Sequence, residues 1–401
     1  MSERLVRINE LAIGVTPDLP DQKPILWEDS RGVLYRDRTV QPMPSQIPLV
    51  SAGVPVNAVS STGDLVFLGT KSSALAYSLS EATLVDTTNE KDDAQGDWSF
   101  CPFGNWMLAS HGGKLWIWKP RDDRKTIEDA ANPAYWPYDL MQEVTGFTER
   151  GYIVKFLLKV KNFVIAVCAD SVVWASDDDP EDWQPREDNM AGDLFIRDIQ
   201  GELLGGVATE NFALICTSKE VIRLDYVSRP YIFSYKKLIE GAGIYNGRSI
   251  VLINKSIFGF GPNGLWVSDG SGFKNIDNET VGDTIDRGLD TSQIDKCFVG
   301  AWGILQHVFF FYPTPTEGQM CYAFNLANST WAPLNWDRYC AWKQYWVDST
   351  GTLYIDDLKN AANLGDNYGK LPLLEDGIGY IGMTYEGWGK VSYGGKIWCQ
   401  V

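Results

Sequence analysis

One short unit keeps returning along this chain and limits what the chain can fold into: a strand-type segment with an aromatic or branched centre, closed by a polar turn. Such segments stand at 75–79, 115–119, 172–176, 221–226, 265–269, 321–325 and 353–357. The steps between them are roughly 30 to 60 residues, bracketing the about 40 to 50 of a four-stranded propeller blade. A lone four-stranded sheet leaves both faces in water, whereas stacking several about an axis buries them and leaves only short edges. The expected fold is therefore all-β, a β-propeller of six or seven blades with loop excursions and a C-terminal β extension. Two stacked sandwiches are the other packing open to the same strands. The expected organisation is an N-terminal arm with the opening or closing strand over 1–50, the propeller over 51–360 and a β-rich segment over 361–401.

Period-2 alternation and enrichment in branched and aromatic residues mark the strands, among them "DLVFLGT", "KLWIWK", "VIAVCA", "SVVWAS", "VIRLDYV", "SIFGFG", "VFFFYP" and "CYAFNL". Residues 245–270 read as a β-meander: "NK" separates two strands, and in "GPNG" Pro262 presets φ while Asn263 and Gly264 tolerate the left-handed region. Helical periodicity is scarce. The best short-helix candidate, "RDDRKTIEDAA" at 121–131, belongs to an excursion between strands.

Fifty-two acids stand against 35 Lys plus Arg, a net charge of −17. That balance opposes general binding to nucleic acid or anionic lipid. The longest apolar stretches, such as 162–175 and 304–312, are too short or too interrupted to span a bilayer as a helix. "MSERLVRINE" carries no apolar core of signal-peptide length, so synthesis and folding in the cytosol are expected. The seven Cys include no CxxC pair, and Cys168 and Cys216 fall mid-strand, where a reduced thiol serves as a small apolar residue.

Reagents for catalysis are few. With two histidines, triads and multi-His metal sites are nearly excluded; His111 reads as a turn residue before two glycines and His307 as a hydrogen-bonded core residue. The densest acidic stretch is "SDDDPEDW" at 176–183. It lacks the glycine and distant Glu of an EF-hand, and consecutive carboxylates on extended chain point alternately apart. Ser176, Asp178 and Trp183 match the spacing of a sialidase Asp box, but Pro180 replaces its Gly, and an Asp box is itself a structural turn. The reading is a blade turn in which Ser176 or Asp178 bonds backbone N–H groups and Trp183 caps the core. Asp177, Asp178, Asp179 and Asp182 are weak cation candidates; no catalytic residue, cofactor or resident metal is expected.

The segment 210–270 resembles the propeller of tail hub proteins of short-tailed bacteriophages, also called nozzle or packaged-DNA stabilisation proteins. The cadence is a strand carrying Arg223, the "IFSY" segment, the Gly-rich "EGAGIYNGRS" link, then "FGFGPNGLWVSDG". "WASDDDPEDWQP", "VGDTIDRGLD", "CYAFNLANSTWAPL" and "ILWEDSRGVLYRDRTVQPMPS" are similar to further turns and strands of that family. The resemblance implies a virion protein assembled in the host cytoplasm: a homo-hexameric ring below the portal and its adaptor. The ring would continue the DNA exit channel, pass double-stranded DNA without sequence-specific binding and offer a surface to tail fibres or spikes, with no membrane partner. Tyr135, Trp136 and Tyr138 of "YWPY", with Tyr385 and Trp388, are the interface candidates, because Tyr and Trp are enriched in interface cores. A propeller glycosidase using paired carboxylates and a monomeric glycan- or protein-binding propeller are the rival functions.

Overall fold

Seven four-stranded antiparallel sheets close into a ring, a seven-bladed β-propeller. The structure, a computed structural model, describes residues 14–18, 27–30, 33–36, 39–44, 46–88, 96–120, 140–334, 336–356, 388–392 and 396–400; the helix candidate at 121–131 lies outside them. Blades 1 to 6 span 58–86, 99–143, 156–195, 205–240, 250–275 and 298–334. Blade 7 combines Cys340–Trp342, Tyr345–Val347 and Thr352–Asp356 with Gln46–Ser51 from the other end of the chain. The innermost strands lie side by side all the way round, back to Cys340–Trp342 beside Ala58–Thr62. That closed ring replaces the alternative of two stacked sandwiches and fixes the blade count at seven.

Each segment of the sequence recurrence overlaps the third strand of a blade, from Ala74–Ser78 to Thr352–Asp356. Second and third strands are covered on both faces by neighbouring blades. Leu65–Gly69, Phe163–Val167 and Ser171–Trp174 are buried at every position. Strands of that kind read as unbroken apolar runs. Outermost strands such as Thr83–Asp86 and Gly192–Phe195 hold only exposed and half-buried positions. The exception is Trp331–Leu334 of blade 6, buried throughout.

The N-terminal arm explains that exception. Val15 N–H donates to the Trp331 carbonyl at 3.0 Å, and the hairpin Val33–Arg36/Thr39–Pro42 lies against Trp331–Leu334. Asn325 Nδ2 donates to the Tyr35 carbonyl at 2.6 Å. Asp18 accepts from Asp283 N–H (3.0 Å), Thr284 N–H (2.9 Å) and Thr284 Oγ1 (2.6 Å), satisfying donors at the start of the helix Gly282–Gly288 that its own residues leave open. Trp27–Ser30 pairs with Trp388–Ser392, which pairs with Lys396–Gln400, so both ends of the chain meet in one accessory sheet.

Turn chemistry follows the residues. Asn254 and Lys255 both take left-handed φ, +49° and +68°, the mirror-image turn that matches strand twist. In "GPNG" only Gly264 is left-handed, at +91°; Asn263 stays out of that region because Gly264 supplies the reversal. Two other glycines serve close approach between blades: a Cβ on Gly261 would overlap the Gly243 carbonyl, and one on Gly243 would overlap Ser218 backbone. Gly261→Ala is expected to cost about 1–3 kcal/mol, the range for overpacking. Gly303→Ala, whose Cβ would meet nothing within 4 Å, is expected within about 0.5 kcal/mol of wild type. Denaturant midpoints at unchanged slope measure both.

Candidate functional site

The acidic turn joins the third and fourth strands of blade 3. Ser176 N–H donates to the Asp182 carbonyl (2.8 Å) and Asp179 N–H to the Ser176 carbonyl (3.3 Å), which pinches the turn shut. Asp178 sits at φ +59° and gives its N–H to the Asn162 carbonyl at 3.2 Å. Of the two groups expected to take a backbone N–H, Ser176 does so, and Asp179 rather than Asp178 supplies the carboxylate that does, from Glu181 at 3.2 Å. Ser176 Oγ accepts from Met190 N–H at 3.4 Å. Trp183 is fully buried, donating Nε1–H to the Pro180 carbonyl (2.8 Å) and standing edge-on to Phe147 at 5.1 Å.

The four cation candidates of this turn, Asp177, Asp178, Asp179 and Asp182, are not gathered. Asp182 Oδ2 accepts from Arg186 Nη2 (2.6 Å) and Asn189 Nδ2 (3.0 Å), while Ser176 Oγ donates to Asp177 Oδ1 at 3.5 Å. Among the described residues no group of three or more His, Cys, Asp or Glu is placed to hold a metal. The turn is a shaped joint in which Asp177, Asp179 and Asp182 are bonded locally and Glu181 pairs with Lys119.

Several residues of 210–270, the core of the family resemblance, lie at the joints between blades 4, 5 and 6. Arg223 Nε donates to Asp225 (2.6 Å), its Nη1 reaches the Gly270 carbonyl of blade 5 (2.5 Å), and its guanidinium covers the Phe212 ring at 4.1 Å. Gly270 is required on its side, since a Cβ would enter the Phe212 ring and its φ is +90°. Trp266 Nε1–H donates to the Gly243 carbonyl at 2.8 Å. Asn246 Nδ2 reaches the carbonyls of Ile294 (2.9 Å), Asp295 (3.2 Å) and Cys297 (2.8 Å), binding the start of blade 5 to that of blade 6. In "WVSDG" the Ser271 hydroxyl and N–H hold the Asp269 carboxyl down at about 2.

A second polar group crosses the mouth of the axial channel, just before the innermost strands begin. Arg248, of blade 5, lays its guanidinium over the Tyr339 ring beside blade 7 at 4.2 Å and donates from Nη2 to Tyr339 Oη (3.2 Å) and to the Asp295 carbonyl. Asp97 attracts it from the blade 2 side and accepts from Asn57 Nδ2 at 2.7 Å. Arg248 Nε and Nη1 and Asn57 Oδ1 are buried without a protein partner, positions that bridging water suits. Sequence reasoning quoted "YNGRS" but did not single out Arg248. The available signal was position, two residues ahead of the strand Ile250–Ile253.

The remaining candidates fall as follows. Tyr135, Trp136, Tyr138 and Tyr385 lie outside the described residues; Trp388 begins the strand Trp388–Ser392, and its side chain lies outside them too. His111 is not a turn residue but the buried last residue of Trp106–His111, stacked on Trp98 at 4.4 Å, because the turn begins only at Gly112. His307 is buried, with Nδ1 at 2.6 Å from the Leu305 carbonyl. Cys101, Cys168, Cys216, Cys297, Cys321 and Cys340 are all buried, and burial pushes the Cys101 and Cys340 thiols up to about 12, which keeps them protonated and unreactive.

Comparison with solved structures returns propeller-like chains of unrelated sequence. A chain of a mitotic checkpoint complex is 9% identical, with 78% of this chain and 93% of that one covered at a TM-score of 0.51. The AfRom2 CNH domain is 9% identical (78% and 99% covered, TM-score 0.47), and the computationally designed Ika8 protein is 10% identical (78% and 99%, TM-score 0.42). No family model and no curated protein matches the chain. The checkpoint-complex likeness speaks to the fold alone.

Removing the Arg223 clamp by Arg223→Ala is expected to cost about 2 kcal/mol, as for hydrogen bonds made by a charged group. Asp177→Asn and Asp178→Asn are expected within about 0.5 kcal/mol of wild type. Millimolar calcium is expected to leave the melting temperature of wild type unchanged. Thermal and chemical denaturation of the variants checks all three.

Proposed function

We propose that this protein is a structural virion component, the tail hub or nozzle of a short-tailed bacteriophage. Six copies would form a ring beneath the portal and adaptor, continue the DNA exit channel and help retain packaged DNA. The observation that carries the reading is the dual role of one set of residues. Arg223, Gly243, Asn246, Gly261 and Gly270, which belong to the stretch resembling that family, are the residues that lock blades 4, 5 and 6 together. A likeness that falls on blade joints supports kinship in how the scaffold is built, beyond a shared strand rhythm.

Electrostatics agrees with this role. Six chains of net charge −17 give a strongly acidic ring whose inner wall repels phosphate and keeps DNA from sticking. The duplex would run through the space enclosed by the copies. Tail fibres or spikes would bind the outside of the ring, and the protein would reside in the virion.

Electron microscopy of the purified protein, alone and mixed with a portal–adaptor complex of a short-tailed phage, tests the proposal together with the identity of the neighbouring genes. Rings of six copies docked coaxially on the adaptor are expected. A monomer that leaves the adaptor bare, or a gene with no portal, capsid or tail genes beside it, would overturn the assignment.

A further inference from the structure

The ring is closed where Gln46–Ser51 pairs with Thr352–Asp356, and one buried polar cluster sits at the end of that pairing. Gln46 and Asp356 are directly opposed across the strands. Gln46 Nε2 donates to Asp356 Oδ1 at 2.8 Å, while Gln46 Oε1 accepts from Arg338 Nε (2.9 Å) and Nη2 (2.7 Å). Asp356 is 5% exposed and Arg338 8%. Both routes from the propeller to the accessory sheet start here: the chain arrives at Gln46 from the arm and leaves after Asp356.

We propose that Gln46, Asp356 and Arg338 form a proton-sensitive latch on the closing strand. With Asp356 neutral the strand is held in blade 7; ionising Asp356 puts an undercompensated charge into the closure and loosens it.

The neighbours of Asp356 explain why its charge is poorly offset. Among the described residues Arg338 is the cation facing it, and that guanidinium is already committed to Gln46, to the Asp337 carbonyl (2.6 Å), and to the rings of Tyr354 (4.1 Å) and Trp336 (4.9 Å). Its charge is shared with Asp337 and Asp348, the latter tied to Tyr354 Oη at 3.0 Å. The fully buried Trp346 indole N–H lies near the carboxyl from the second strand of the blade, without reaching hydrogen-bond geometry. Burial outweighs these contacts and pushes the Asp356 carboxyl up to about 7. In the open strand the group returns to the ordinary carboxylate value, about 3.9. The closed form then binds the extra proton between those two values. Closure is firmest at low pH, weakens as pH rises toward 7 and levels off above it.

Hydrogen exchange read by mass spectrometry, normalised for intrinsic rates, tests this on the full chain at pH 5, 6, 7 and 8. In wild type, opening of 46–51 is expected to rise roughly tenfold per pH unit up to pH 7 and then flatten. The interior strand Phe163–Val167 of blade 3 is expected to hold constant as the internal reference. Asp356→Asn keeps the acceptor for Gln46 without the charge, and its 46–51 opening is expected to be low and independent of pH. A wild-type segment 46–51 whose normalised protection tracks blade 3 at every pH would overturn the latch, as would an Asp356→Asn protein with the wild-type slope.

Discussion

A four-stranded sheet with two apolar faces has no stable existence alone, and everything else here follows from satisfying that constraint seven times in a circle. Each blade buries its faces against its neighbours, so the clusters of core residues run between blades. One cluster joins Phe258 and Phe260 of blade 5 to Phe309, Phe310 and Trp331 of blade 6 and on to Trp346 of blade 7. The circle has one seam, and a strand from the far end of the chain fills it. Stability of the whole therefore rests on a contact between residues at opposite ends of the propeller sequence.

That geometry also explains which parts of the fold were legible in the sequence. Second and third strands are sandwiched, so "VIAVCA" or "SVVWAS" announces itself as a dense apolar run. Outermost strands such as Gln142–Glu143 carry polar residues because they meet water, while innermost strands range from the small Gly205–Ala208 to the apolar Ile250–Ile253. Counting third strands was enough to suggest six or seven blades. The assignment of Gln46–Ser51 to blade 7 depends on tertiary closure, and no local pattern encodes it.

The site was less legible than the fold. The acids of 176–183 cluster in sequence, yet on the folded chain Asp177, Asp179, Glu181 and Asp182 each meet a different partner. Arg248 and Tyr339, ninety-one positions apart, meet at the axis although neither stands out in its own segment. Glycines told more than acids did. In "EGAGIYNGRS" and "WVSDG" Gly243, Gly247 and Gly270 sit where neighbouring groups approach too closely for a side chain.

The central claim is that each ring is closed by its own N-terminal strand. Ile47 and Ile355 are opposed in that pairing, and the described native thiols are all buried, so Ile47→Cys with Ile355→Cys places one accessible thiol pair across the seam. Mass spectrometry after mild oxidation is expected to find the disulfide within single chains, at any protein concentration. A pair that stays reduced, or that links two chains, would contradict closure of the ring by its own strand.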